Sequence, residues 1–233
     1  MKIAVLDIGG TSIKAGTYEN GSLRDCREFA TDAYLGGESV MRKAIGILKG
    51  CCGFERIGIS TAGQVDSSAG VIRFANSNIP GYTGTRIRDI MEKEFRVPVA
   101  VAKFVNAAAL GEAAFGAGQS FRDFLMLTYG TGVGGAVVMD GGIYTGGSFS
   151  AGEVGGMVVH GGQRDAEADI FSGCYERYAS VTALVNAAGK LDASLTDGRH
   201  IFARIGEPQI RETVDSWIDE ILYGLITLIH IFN

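Results

Sequence analysis

Three features are scarce in this chain: basic blocks, long apolar runs and paired cysteines. Its 21 Lys and Arg against 26 Asp and Glu leave a net charge of −5. Nucleic-acid binding needs a basic stripe over the phosphates, so that partner class is disfavoured. No apolar run reaches the length of a membrane span. The nearest, Ile221 to Phe232, is short and is broken by Gly224 and His230, so no membrane partner is expected. Met1 leads straight into a strand that Asp7 ends, so no signal peptide is expected. Cys26, Cys51, Cys52 and Cys174 make no C-x-x-C pair. The adjacent Cys51-Cys52 is a poor disulfide, and all four read as small thiols in a reducing cytoplasm.

Proline is nearly absent, at 3 residues, whereas glycine reaches 35. The glycines cluster at turns, which suits a backbone that must approach something closely at several places. The first cluster follows Lys2 to Leu6 and Asp7. Gly9 and Gly10 leave N–H groups bare of side chains, and such a turn can cradle phosphate. Asp7 at the strand end is placed to hold Mg²⁺, directly or through water, and Lys14 adds a cation. Asn20-Gly21 is a strong two-residue hairpin signal, because both turn positions need positive φ.

The pattern returns further on. Shifted by 120 residues, Gly10-Thr11 falls on Gly130-Thr131 and Asn20-Gly21 falls on Asp140-Gly141. A strand–turn–strand unit is therefore repeated. Leu127 stands where the first copy has Asp7, so one copy would carry the metal-side acid and the other a neutral cradle. Two lobes with facing phosphate turns imply a cleft, where small ligands usually bind. The expected lobes are residues 1–105 and 106–233, each a sheet flanked by helices.

Spacing places further elements. Apolar residues at Val40, Met41, Ala44, Ile45 and Leu48 predict a helix over 38–49. Strands are expected at 22–29, 56–60, 97–102, 124–128 and 133–139, with a hairpin over 65–74. Helices are expected at 86–95, 106–115 and 209–232. The last is apolar on most of its faces and should be largely buried.

With these residues in view, the chain resembles the ROK sugar kinases of the actin/hexokinase-like ATPase fold. D-I-G-G-T-S-I-K resembles the first phosphate motif, and Y-G-T-G-V-G-G-A the second. S-T-A-G-Q-V-D and N-I-P-G-Y resemble sugar-side loops. V-N-A-A-A-L-G-E resembles the helix after the catalytic motif. A-G-E-V-G and G-C-Y-E-R-Y-A-S resemble the segments that carry sugar-binding glutamates. The order and spacing of the motifs run along essentially the whole chain.

The resemblance implies an α/β, two-lobed, ribonuclease H-like architecture with a mixed sheet in each lobe. It also implies ATP- and Mg-dependent phosphorylation of a hexose or N-acetylated hexosamine. Asp7, Gly9, Gly10, Thr11, Lys14, Gly130, Thr131 and Gly132 would face the nucleotide phosphates, with Asp7 reaching the metal through water. Gly63, Gln64, Asn76, Glu153 and Glu176 would face the sugar. Carboxylates accept from vicinal hydroxyls, and Asn and Gln both donate and accept.

Departures from the family pattern qualify this. Where Glu-Asn-Asp usually precedes V-N-A-A-A-L-G-E, this chain has Ala102-Lys103-Phe104. Phe104 occupies the general-base position and cannot accept a proton. A His usual at Gly156 is absent, and His160 is the expected substitute on the sugar side. Glu167 and Asp169 stand where zinc cysteines would, leaving Cys174, and one thiol does not make a zinc site; no structural zinc is expected. Family chains continue past I-H-I-F-N with further strands and an adenosine-binding turn, so the C-terminal lobe is expected to be incomplete and its apolar helix exposed or paired in a homodimer. The reading is a cytoplasmic ROK-type kinase altered at its base. The alternative is an inactive sugar- or nucleotide-binding protein of the same fold. A regulator is disfavoured, because regulators in the family carry a DNA-binding segment before the first phosphate motif.

Overall fold

The computed structural model describes residues 1–232. The chain divides into two compact units, residues 1–120 with 145–150, and residues 121–144 with 151–233. This division falls at Ser120 rather than at residue 105. The helix after residue 103 packs on the first unit's sheet and stays with it.

The first unit is built on a five-stranded mixed sheet of order β3-β2-β1-β4-β7. Its strands are β1 (Lys2–Ile8), β2 (Ser12–Glu19), β3 (Ser22–Ala30), β4 (Arg56–Thr61) and β7 (Val99–Lys103). β1 runs antiparallel to β2 and parallel to β4, which runs parallel to β7. Asn20 and Gly21 take φ of 51° and 78°, the left-handed pair that a two-residue hairpin turn demands. Alternate residues of β1, Ala4, Leu6 and Ile8, are buried. They meet the apolar stripe of α1 (Gly37–Lys49), Val40, Met41, Ala44 and Leu48, and that of α2 (Ile87–Phe95), Ile87 and Met91. A strand of period two against helices of period 3.6 thus closes one core.

A small hairpin, β5 (Gln64–Asp66) and β6 (Val71–Phe74), lies beside this sheet. α3 (Phe104–Phe115) begins two residues earlier than the spacing predicts, because Lys103 ends β7 in extended conformation and serves as its N-cap residue.

The second unit contains β8 (Phe124–Tyr129), β9 (Val133–Met139) and β10 (Gly142–Tyr144) in a sheet of order β10-β9-β8. The expectation of a mixed sheet holds for the first unit; here the sheet is antiparallel throughout. Its strands are joined by turns of two or three residues, which only antiparallel neighbours permit. α4 (Glu176–Ala179), α5 (Val181–Gly189), α6 (Gly198–Ala203) and α7 (Pro208–Phe232) complete it.

Burial of α7 is narrower than its composition suggests. Ile210, Val214, Gly224 and Leu228 are buried, whereas Ile218, Leu222, Ile226 and Ile229 are exposed. One seam at spacing of three and four touches the rest of the unit. Among the described residues, no helix is long and apolar enough to cross a membrane.

The β5–β6 hairpin is tied by a buried acid. Asp66 accepts from the Ser68 hydroxyl at 2.5 Å, the Ala69 N–H at 3.0 Å and Arg73 Nη2 at 2.5 Å. The Ser68 hydroxyl above all, with Ala69 and Arg73, outweighs burial and holds this carboxyl at a pKa of about 2. A depressed pKa contributes stability that is present above the unfolded value of about 4 and lost as pH falls toward 2. Asp66→Asn should lower stability at pH 7 by about 1.5–3 kcal/mol, and the gap should shrink in acid. Urea midpoints of both proteins at pH 7 and near pH 2.5 check this. An equal gap at both would exclude the ionised carboxylate as its source.

Candidate functional site

In the first unit, three parallel strands end side by side. Ile8 of β1 lies in register with Thr61 of β4, and Thr61 with Lys103 of β7. From this one edge emerge the 9–11 turn, the 62–63 loop and Phe104. Ligands of α/β sheets gather at the carboxyl ends of parallel strands.

Asp7 sits one residue short of that edge, half-buried. Its Oδ1 accepts from the Ser60 hydroxyl of β4 at 2.8 Å, and Lys14 of β2 is its register partner. The turn is braced from behind. Gly9 N–H bonds the Ser12 carbonyl at 2.9 Å, and the Thr31 hydroxyl donates to the Gly9 carbonyl at 2.7 Å. A Cβ on Gly10 would meet nothing within 4 Å, so the outer side of the turn is open. Gly63 has φ 93°, and a Cβ there would lie 2.8 Å from the Phe74 carbonyl oxygen, so only glycine passes this point without strain. Gln64 opens β5, opposite Phe74. Asn76 lies in an exposed loop, where its Oδ1 accepts from the Asn78 N–H at 3.2 Å.

Next to these residues are three that spacing did not single out. Thr61 and Tyr82 share a buried hydroxyl–hydroxyl bond of 2.8 Å, and burial pushes the Tyr82 phenol up to about 12. Asn106, in the first turn of α3, is buried, and its Oδ1 has no protein partner. A buried orphan acceptor is costly unless another molecule satisfies it. All three fall inside the motifs that carry the resemblance, S-T-A-G-Q-V-D, N-I-P-G-Y and V-N-A-A-A-L-G-E, yet none was singled out, because burial and pairing of a hydroxyl or amide do not show in spacing. Lys103 is only 4% exposed, whereas Phe104 is 45% exposed.

The second unit holds the other turn and both glutamates. Gly130 N–H bonds the Gly132 carbonyl at 2.9 Å, and Val181 N–H bonds the Gly130 carbonyl at 2.9 Å. Segment 152–155 lies against β9 backbone to backbone. A Cβ on Gly152 would lie 2.5 Å from the Gly135 carbonyl oxygen, and one on Gly155 would lie 2.3 Å from that of Val133. Glycine is obligatory at both. A Cβ on Gly132 would lie 2.7 Å from Glu176 Oε2, so the Glu176 carboxylate stands directly against the turn. Val133 N–H donates to it. Burial raises the Glu176 pKa, the Asp169 and Glu153 charges add to this, and Arg177 and the Val133 bond oppose it. Thr131 and Glu153 are exposed.

His160 is turned to α7. Its Nε2 lies 2.7 Å from Glu220, and its ring packs on Tyr178 at 4.2 Å between centroids. In the stretch 164–177, Asp169 makes a two-point ion pair with Arg177, and Arg164 Nη1 lies 3.4 Å from Cys174 Sγ. Among the described residues, no three of His, Cys, Asp and Glu gather as a metal site.

The ROK family model matches residues 3–233, and the chain belongs to the ROK family. An uncharacterised protein of Clostridium perfringens is 38% identical over 239 residues, covering 99% of this chain and 77% of its own. A glucokinase of Thermotoga maritima is 31% identical, covering 100% of this chain and 79% of its own. Among solved structures, a ROK family glucokinase of Streptomyces griseus, in complex with glucose and AMPPNP, superposes with a TM-score of 0.81. It is 27% identical, and the match covers 100% of this chain and 80% of that one. The architecture is accordingly that of the actin-like ATPase fold.

The strained charge of Glu176 carries a prediction. A raised carboxyl pKa means that ionisation at neutral pH opposes folding, an effect absent below the unfolded value, growing between the two values and complete above the folded one. Glu176→Gln should therefore raise the thermal midpoint at pH 7. Thermal melting of the two proteins at pH 7 checks this; a lower midpoint would contradict the assignment of burial as the cause.

Proposed function

We propose that this protein binds ATP and a hexose or N-acetylated hexosamine as a ROK-type sugar kinase, and that it transfers the γ-phosphoryl group slowly. The observation that carries the reading is the convergence of the Asp7 turn, the 62–63 loop and the head of α3 at one edge of three parallel strands. Membership of the ROK family and the relatives that act as glucokinases support the phosphoryl-transfer class.

The residues present fit a magnesium nucleotide. Mg²⁺ usually keeps several waters and takes one or two carboxylates plus substrate phosphates. Asp7, oriented by Ser60, is a single carboxylate of that kind, beside a turn whose outer side is open. When bound, the ion would neutralise phosphate charge. Gly9, Gly10, Thr11, Gly130, Thr131 and Gly132 would offer N–H and hydroxyl donors to phosphate oxygens, and Lys14 would add positive charge. Glu153 and Glu176 would accept from sugar hydroxyls, with Gln64 and Asn76 adding amide contacts.

Phosphoryl transfer depends mainly on positioned charge, with little covalent work for the protein. That is why the phosphate turns can matter even without a base. General base assistance contributes about 10²–10⁴-fold, and Phe104 cannot provide it. A second reading, a sugar- and nucleotide-binding protein without turnover, is favoured by the same observation: an exposed phenyl ring heads α3.

Following ADP release with Mg-ATP and a panel of glucose, mannose, N-acetylglucosamine and N-acetylmannosamine separates the two. Slow turnover on one sugar supports the kinase; saturable binding of sugar without turnover supports the binding protein. Lys103→Asn with Phe104→Asp should raise kcat by about 10²–10⁴-fold. A double variant that folds, binds sugar and remains silent would remove Phe104 as the reason for slow transfer.

A further inference from the structure

Tyr175 is fully buried, yet its phenol is paired twice. It donates to the Ile221 carbonyl of α7 at 2.7 Å and lies 2.8 Å from the Tyr129 hydroxyl. A carbonyl cannot donate, so the single Tyr175 proton goes to Ile221. Tyr129 must then be the donor to Tyr175. The chain of bonds has one direction, from Tyr129 through Tyr175 to Ile221. Burial raises the pKa of both phenols, so neither loses its proton near neutral pH. The two rings also meet edge to face, with centroids 6.2 Å apart and planes at 85°.

Gly224 explains how Tyr175 reaches α7. A Cβ there would lie 2.1 Å from Tyr175 Cζ. Glycine inside a 25-residue helix is unfavourable relative to alanine, and here it opens the notch that receives the ring. Both tyrosines of the relay adjoin the site. Tyr129 is the residue before Gly130, and Tyr175 is the residue before Glu176, whose carboxylate stands against Gly132.

We infer that Gly224, Tyr175 and Tyr129 are positioning residues that hold the Gly130–Gly132 turn and Glu176 in place from α7, and so set how the turn receives a nucleotide phosphate; the ligand class rests on the kinase reading above. None of the three need touch a ligand. The turn is a loop of three residues, and the Tyr129 hydroxyl bond ties the strand end that carries it to a buried ring. The same ring fixes the start of α4, so turn and carboxylate share one anchor.

Two variants test this. Tyr175→Phe keeps the ring and removes both bonds; Gly224→Ala fills the notch. Hydrogen exchange by mass spectrometry should accelerate about tenfold at amides 130–133 in each variant, through local opening. Peptides around Leu184 and Ile201 should keep wild-type exchange. The Kd for MgADP, by calorimetry, should rise about tenfold in parallel. Should Gly224→Ala fail to fold, Tyr175→Phe alone decides. Unchanged exchange at 130–133 in a folded Tyr175→Phe protein, or acceleration spread evenly over the second unit, would overturn the relay. If the exchange pattern appears while even the wild type binds no MgADP, the relay stands and the nucleotide reading falls.

Discussion

The second unit depends on one close approach. The Val133 carbonyl oxygen leaves no room for a side chain on Gly155, and the Gly135 carbonyl leaves none on Gly152. Backbone must touch backbone there, which only glycine allows. That contact lays the segment bearing Glu153 along β9. The same stretch of β9 begins with Val133, whose N–H bonds the Glu176 carboxylate. The 130–132 turn, both acids and the start of α4 therefore gather around a few backbone atoms.

The electrostatics follow from this crowding. Half-burying Glu176 beside Glu153 opposes its ionisation, and Arg177 only partly compensates, since it is also held by Asp169. Perturbed acids of this kind tend to mark functional sites. Asp66 is the opposite case in the first unit. Its donors surround it completely, its pKa is lowered, and its work is to close a hairpin. Two buried or half-buried acids thus have their pKa values pushed in opposite directions by the company they keep.

Much was legible in the residues themselves. Both hairpin turns, Asn20-Gly21 and Asp140-Gly141, take the left-handed pair that their composition demands. The stripes of α1 and α2 were readable from period, and the mixed sheet of the first unit followed from the family resemblance. Elsewhere composition misled. The apolar excess of α7 suggested burial on most sides, yet a single seam is covered. The expectation of a mixed sheet in the second unit, drawn from the resemblance, yielded to an antiparallel sheet with two short connections.

By itself, the sequence determined which local shapes were available: positive-φ turns at Asn-Gly and Asp-Gly, strands of period two, a Gly-rich turn after Asp7, and a phenylalanine that cannot take a proton. These are short-range consequences of sterics and side-chain chemistry, and they need no partner. Only the tertiary structure decided what those pieces meet. It aligned Ile8, Thr61 and Lys103 at one sheet edge, set Glu176 against Gly132, and paired Tyr175 with a carbonyl of α7 through the notch at Gly224. Such contacts join residues tens of positions apart. They follow from how strands register and helices pack, which no local pattern encodes.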